Sequence, residues 1–134
     1  MILMIFQSKT LINGAPAWEL DTDTQTVRHI NPKTAKVERY VFHTDHIKYH
    51  LNFVEEYHPE RLQRLVDEGE IYKYLDELDI KITDALNIQT EKFMQSSKEY
   101  QIANAVSDHY KIERIGNMLR EQAKESVFDA MVYV

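Results

Sequence analysis

No cysteine occurs among the 134 residues. That excludes a disulfide framework, a thiolate zinc site and a cysteine nucleophile. Glycine is scarce, with three residues standing alone at 14, 69 and 116. A glycine-rich phosphate loop and a Gly-x-Ser-x-Gly nucleophile elbow are therefore missing. Long apolar runs are missing too. The opening "MILMIF" spans only six residues, has no basic start, and is followed by "QSKT". It is too short for a signal-peptide core or a membrane span, and reads as a buried first strand of a cytoplasmic protein. No internal repeat and no low-complexity linker is found.

Positive charge is also short. The formal net charge is −6, from 16 Lys/Arg against 22 Asp/Glu. Residues 1–44 hold five basic against four acidic side chains, 45–99 seven against thirteen, and 100–134 four against five. The acidity thus belongs to the middle of the chain. Bulk attraction to phosphate is disfavoured, and a protein partner with a basic surface is permitted. The plainer reading of the same acids is a solvated helix surface.

What is present divides near His43. Before it, β-branched and aromatic residues alternate with polar ones. "TQTVRHI" and "VERYVF" flank the turn-rich "NPKTAK", which predicts a hairpin over 24–42. "AWELD", after the break "NGAP", supplies a partner strand. The expectation is a small antiparallel sheet of three or four strands, one face covered by Trp18, Tyr40 and Phe42 against helices. After His43 the apolar period is helical. Thr44 is placed to cap a helix over 45–57 carrying Ile47, Leu51 and Val54. Pro59 suits the first turn of a second helix, 59–68, which Gly69 ends. A third covers 70–95. Its Ile71, Leu75, Leu78 and Ile82 form a seam expected to pack on the final helix. Ser96 with Glu99 resembles a capping box before a last helix over 98–132. Ile102, Val106, Ile112, Ile115, Leu119, Ala123 and Val127 form its stripe, and Gly116 suits a close helix crossing. The fold class is α+β, a single domain over 1–134 with a β-rich part (1–43) and a helical part (44–134).

Chemistry-bearing clusters are few. "VFHTDHIKYH" places His46 and His50 four apart on one helix face, with His43 a turn earlier. A helical His-x-x-x-His supplies two metal ligands, and a stable site needs more. His43 would be a third only if the helix began before it. Glu55 and His58 form a Glu-x-x-His, as in carboxylate-bridged metal bundles, but Pro59 follows directly and no second copy exists. No metal, cofactor or catalytic residue is therefore assigned. The histidines are expected at the surface or at the sheet–helix junction. Asp76, Glu77 and Asp79 cluster on an amphipathic helix, where carboxylates usually serve solvation. Residues 59–78 have the length of a helix-turn-helix, but its second helix would push Glu70, Asp76, Glu77 and Asp79 toward phosphate. In the last helix Lys111, Arg114, Arg120 and Lys124 interleave with glutamates, as in helical ion pairs.

One stretch carries a family resemblance. "EEYHPERLQRLVDEGEIYKYLDELD" resembles the central motif of the TnpV proteins, small proteins encoded on transposons and integrative elements of Gram-positive gut bacteria. Glu56, Pro59, Leu65, Gly69, Ile71, Tyr72, Leu75, Glu77, Leu78 and Asp79 fall on that motif without a gap. "GNMLREQAKESVFDAMVY" is similar to the family's ending at Asn117, Ala123, Glu125, Val127 and Tyr133. Coverage runs from Glu55 to the last residue. Asp67 and Glu68 depart from the family's apolar and small residues. The resemblance implies a mobile-element context and a helical fold, and implies no catalytic residue.

These readings converge on a non-enzymatic accessory protein of a mobile element or phage that binds a macromolecular partner. It would regulate the element or, in the sharpest form, inhibit a host nucleic-acid machine in the manner of an anti-CRISPR protein. The expected partner face is Asp67, Glu68, Glu70, Tyr72, Tyr74, Asp76, Glu77 and Asp79. Tyrosines would anchor it, as they often do at interfaces. Two alternatives stay open, a metal-dependent enzyme on His43, His46 and His50, and a DNA-binding regulator using the last helix. A homodimer also stays open, and no membrane association is expected. Direct nucleic-acid binding should be weak. An anisotropy titration at physiological salt should give a dissociation constant no tighter than roughly 10⁻⁶ M, the nonspecific range.

Overall fold

A computed structural model describes residues 5–134 of the chain. Its elements are β1 (Ile5–Gln7), β2 (Leu11–Ile12), β3 (Ala15–Pro16), β4 (Trp18–Asp21), β5 (Thr26–Ile30), β6 (Val37–Val41), α1 (Asp45–Tyr57), α2 (Pro59–Asp67), α3 (Ile71–Ser96), α4 (Lys98–Ala105) and α5 (His109–Met131). The class is α+β, with an antiparallel sheet first and helices after it, as the change of period near His43 predicts. The chain divides into two compact units. One runs through Asp79 and takes in Val132–Val134; the other is Ile80–Met131. Of the opening strand, Met1–Met4 lie outside the described residues. Ile5 is exposed and Phe6 buried, so the strand buries one face only.

The first unit is built on a four-stranded sheet of order β1-β4-β5-β6, every neighbour antiparallel. Its turns are set by short polar side chains. Asp21 Oδ1 accepts from the backbone N–H of Asp23 and Thr24 before β5. Asn31 Oδ1 accepts from Lys33 and Thr34 before β6, where Ala35 takes φ +59°. Both are Asx-type turns. "NG" makes a further small hairpin, β2–β3, with Asn13 and Gly14 both at positive φ, as a two-residue primed turn requires.

Alternation along the strands sends Phe6, Leu20 and Val27 to one face. There, with Phe42, they join Ile47, Leu51 and Val54 of α1, Leu62 and Val66 of α2, and Ile71 and Leu75 of α3 in one buried cluster. Trp18 packs against it and stacks on His29, ring centroids 4.0 Å apart. Tyr40 and Phe42 meet Tyr72 at 4.1 and 6.0 Å. The expected α3 seam is corrected for Ile71, Leu75 and Leu78, while Ile82 is buried as expected and belongs to the second unit. Within the first unit, Ile71, Leu75 and Leu78 pack on the sheet and the first two helices. A 4–3 apolar stripe states that a helix face is covered and leaves its cover unspecified.

The end of α2 follows the sequence closely. Gly69 N–H donates to Val66 O and Glu70 N–H to Leu65 O, a Schellman closure with Gly69 at φ +71°. The last helix departs from expectation and is two helices. After α4, Ser107 takes φ +54°, its N–H donates to Asn104 O, and Asp108 N–H donates to Ala103 O. This is the same closure made by a serine, which is why the break lacks the usual glycine sign. Asp108 Oδ1 then accepts from Lys111 N–H and caps α5. The start of α4 is capped by Ser97, accepting from Tyr100 N–H, one residue beyond the expected Ser96. The break also moves α4 out of phase, so Ile102 and Val106 are exposed while Ile115, Leu119, Ala123 and Val127 are buried as expected. A Cβ on Gly116 would lie 3.6 Å from the Tyr100 ring, an ordinary contact that does not require glycine.

At Gly69 the added Cβ would meet Trp18 Nε1 at 2.9 Å, in a backbone conformation that L side chains rarely adopt. Gly69→Ala is therefore expected to destabilise by about 1–3 kcal/mol. Urea denaturation followed through the emission of Trp18, the one tryptophan, measures it. An unchanged midpoint would contradict the packing described.

Candidate functional site

The three clustered histidines are separated by where α1 starts. The helix begins at Asp45, so His43 precedes it and is exposed, while His46 and His50 lie on its buried face. Thr44 occupies the N-cap position, yet its hydroxyl caps nothing. Thr44 Oγ1 donates instead to Asp79 Oδ1 at 2.9 Å, and His46 Nε2 donates to the same oxygen. Asp79, half-buried on α3, thereby ties down the start of α1.

His50 is 1% exposed and uses both ring nitrogens. Nδ1 lies 2.7 Å from the carbonyl oxygen of Val132. A carbonyl only accepts, so Nδ1 carries the proton. Nε2 then accepts from the Tyr74 hydroxyl at 2.7 Å. Arg61 completes the chain, with one guanidinium nitrogen donating to the Tyr74 oxygen at 3.4 Å and the other to Val134 O at 3.0 Å. Burial pushes the His50 pKa below its ordinary 6.5 and the Arg61 cation adds to this, against the opposing hydrogen bond to Val132. Burial likewise raises the Tyr74 pKa, and Arg61 opposes it. The result is a neutral imidazole and a neutral phenol in a closed relay. It fastens Val132–Val134 to α1, α2 and α3. Among the described residues no three His, Asp or Glu are grouped to hold a metal ion.

The eight acidic and tyrosine positions of the expected partner face sort into two sets. Glu68, Glu70 and Glu77 are exposed and Asp76 half-buried, with Lys73 the exposed base between them. The others have work inside the fold. Asp67 Oδ1 accepts from Lys9 N–H at 3.0 Å and from Gln63 Nε2 at 3.1 Å. Asp79 holds Thr44 and His46, Tyr72 covers Tyr40 and Phe42, and Tyr74 belongs to the His50 relay.

A second polar surface lies on the sheet face opposite the core. Glu19 accepts from Arg28, with Nε at 2.8 Å and a terminal nitrogen at 2.7 Å. Arg28 is directly opposite Arg39 in the next strand, and both border an open groove of about 570 Å³ with Gln7, Asp21, Thr24 and Thr26. The sequence-based reading did not select these residues. Alternation in "TVRHI" and "VERYV" already puts one arginine on the outer face of each strand, and only the hairpin register places them side by side.

Because His50 is neutral when folded and ionises near 6.5 when unfolded, the unfolded chain binds more protons below that pH. The His50 contribution to stability is thus present above pH 6.5 and is lost as pH falls through the depressed folded-state value. Urea midpoints measured from about pH 7.5 to about pH 5 should fall in this sense. His50→Asn should cost about 1–3 kcal/mol at neutral pH and flatten the slope. Equal slopes for the two proteins would remove His50 as its source.

No described helix is long and apolar enough to cross a membrane. No protein-family model matches the chain, and no curated protein or solved structure matches it either.

Proposed function

We propose that this chain is a non-enzymatic binding protein of the cytoplasm, an accessory factor of a mobile element, which docks a basic protein surface onto the exposed acids around the start of α3. The observation that carries this reading is the division within the acidic segment. Glu68, Glu70 and Glu77 face solvent while their neighbours Asp67, Tyr72, Tyr74 and Asp79 are fastened internally. Carboxylates held at the surface on and between well-anchored helices form a preorganised negative face. Such a face speeds encounter with a positive partner and selects among partners. The genomic setting rests on the TnpV resemblance of residues 55–134. A nucleic-acid-handling enzyme, whose groove is basic by necessity, is the partner class this chemistry fits best. Inhibition by occupying that groove is the sharp form of the proposal. The buried His50, with both nitrogens committed to protein atoms, favours binding over acid–base catalysis.

The test uses the variant Glu68→Lys/Glu70→Lys/Glu77→Lys, which leaves Asp79 and Asp67 in place. Against a partner isolated from host lysate, association should slow about tenfold and lose most of its salt dependence. Circular dichroism should remain that of the wild type. Unchanged association by the folded variant would exclude this face as the interface.

A further inference from the structure

The two edges of the sheet are unequal. The described part of β1 is guarded by α2, since Gln63 Nε2 donates to Gln7 O at 2.8 Å and Asp67 accepts from Lys9 N–H just beyond it. β6 is open. Antiparallel pairs alternate between hydrogen-bonded and non-bonded positions. Phe42 N–H donates to Gln25 O and Asn31 N–H to Lys36 O, which fixes the phase at both ends of the hairpin. Stepping along the register between them, Val27/Tyr40 and His29/Glu38 are bonded pairs, and Thr26/Val41, Arg28/Arg39 and Ile30/Val37 are not. The N–H and C=O of Val37, Arg39 and Val41 therefore point away from β5. No described backbone group bonds to them. The strand carries no proline and no lysine, the usual guards of an exposed edge.

The side chains of the same residues lie on the outer sheet face. Val37 and Val41 are 47% and 48% exposed. Arg39 sits between them, exposed and opposite Arg28, whose charge Glu19 already balances. A second copy of the chain fits this edge badly. The antiparallel register that pairs all five residues would set Arg39 against Arg39, in a row of four guanidiniums, and like charges directly opposite one another are destabilising.

We propose that the β6 edge takes an added strand from a partner protein, an extended segment of pattern apolar-x-carboxylate-x-apolar. Its backbone bonds Val37, Arg39 and Val41, its carboxylate meets Arg39, and its apolar residues lie on Val37 and Val41. Main-chain bonds supply affinity, and the alternate side chains supply selectivity. This surface is distinct from the acidic α3 face and opposite to it in charge preference.

The test uses the full chain and a fluorescein-labelled peptide, Thr-Val-Thr-Glu-Thr-Val-Thr, with a second peptide carrying Lys in place of Glu. Anisotropy should show the Glu peptide binding roughly fivefold tighter than the Lys peptide. Arg39→Glu should reverse the preference. This variant keeps the fold because it replaces a like-charge neighbour of Arg28 with an opposite one. Amide exchange at Val37, Arg39 and Val41 should slow on binding. The proposal is overturned if the Glu peptide fails to bind at about 1 mM, if both peptides bind both proteins alike, or if sedimentation shows a dimer that Arg39→Glu alters and that excludes the peptide.

Discussion

The one-sided sheet governs the first unit. Four short antiparallel strands put Phe6, Leu20 and Val27 on a single face, and that face must leave water. At roughly 25 cal/mol per Å² of apolar surface, burial of this face is the main favourable contribution to the fold of the unit. α1, α2 and the start of α3 supply the cover, and their packing decides the surroundings of the other side chains discussed in this unit. On the opposite face Val37, Arg39 and Val41 of β6 stay exposed.

Covering the sheet with α1 takes His46 and His50 out of water. Buried polar groups need partners, and the fold provides them from distant positions. Asp79 meets His46, while Tyr74 and the Val132 carbonyl satisfy His50. No buried side-chain polar atom is left without a partner among the described residues. Two of the three histidines that cluster in the sequence, His46 and His50, thus join α1 to α3 and to Val132–Val134. Arg61 extends that joint to Val134, so residues at the far end of the chain close over its middle.

The surfaces left over are of two kinds. Glu68 and Glu70 between α2 and α3, and Glu77 on α3, are the acids that the fold does not use, and they remain at the surface with Lys73 among them. On the sheet, Glu19 neutralises Arg28 and leaves Arg39 beside it without a carboxylate. Both features are inexpensive for a folded protein, since exposed charges are solvated. Both also bias which molecules approach. A chain with a net charge of −6 that nevertheless keeps an unbalanced arginine on an open strand has two electrostatic faces.

Local signals in the sequence were sufficient for the class, the order of elements and most boundaries. Asx and Asn-Gly turns, Pro59 at a helix start and Gly69 at a helix end act within a few residues, so they can be read without knowing the fold. The tertiary structure decided the rest. Ser107 ends α4 in a conformation whose usual mark is glycine, so the break left no such sign. The α3 stripe told that Ile71 and Leu75 are buried, and packing alone chose the sheet and the first two helices as their cover. Tyr72 and Tyr74 suit an interface or a core equally well by composition, and both are half-buried, with Tyr72 against Tyr40 and Phe42 and Tyr74 bonded to His50. The pairing of Arg28 with Arg39 depends on hairpin register, which a single strand does not contain. Spacing reports which faces are apolar; it carries no information about what lies across from them, because that contact is made between residues far apart in the chain.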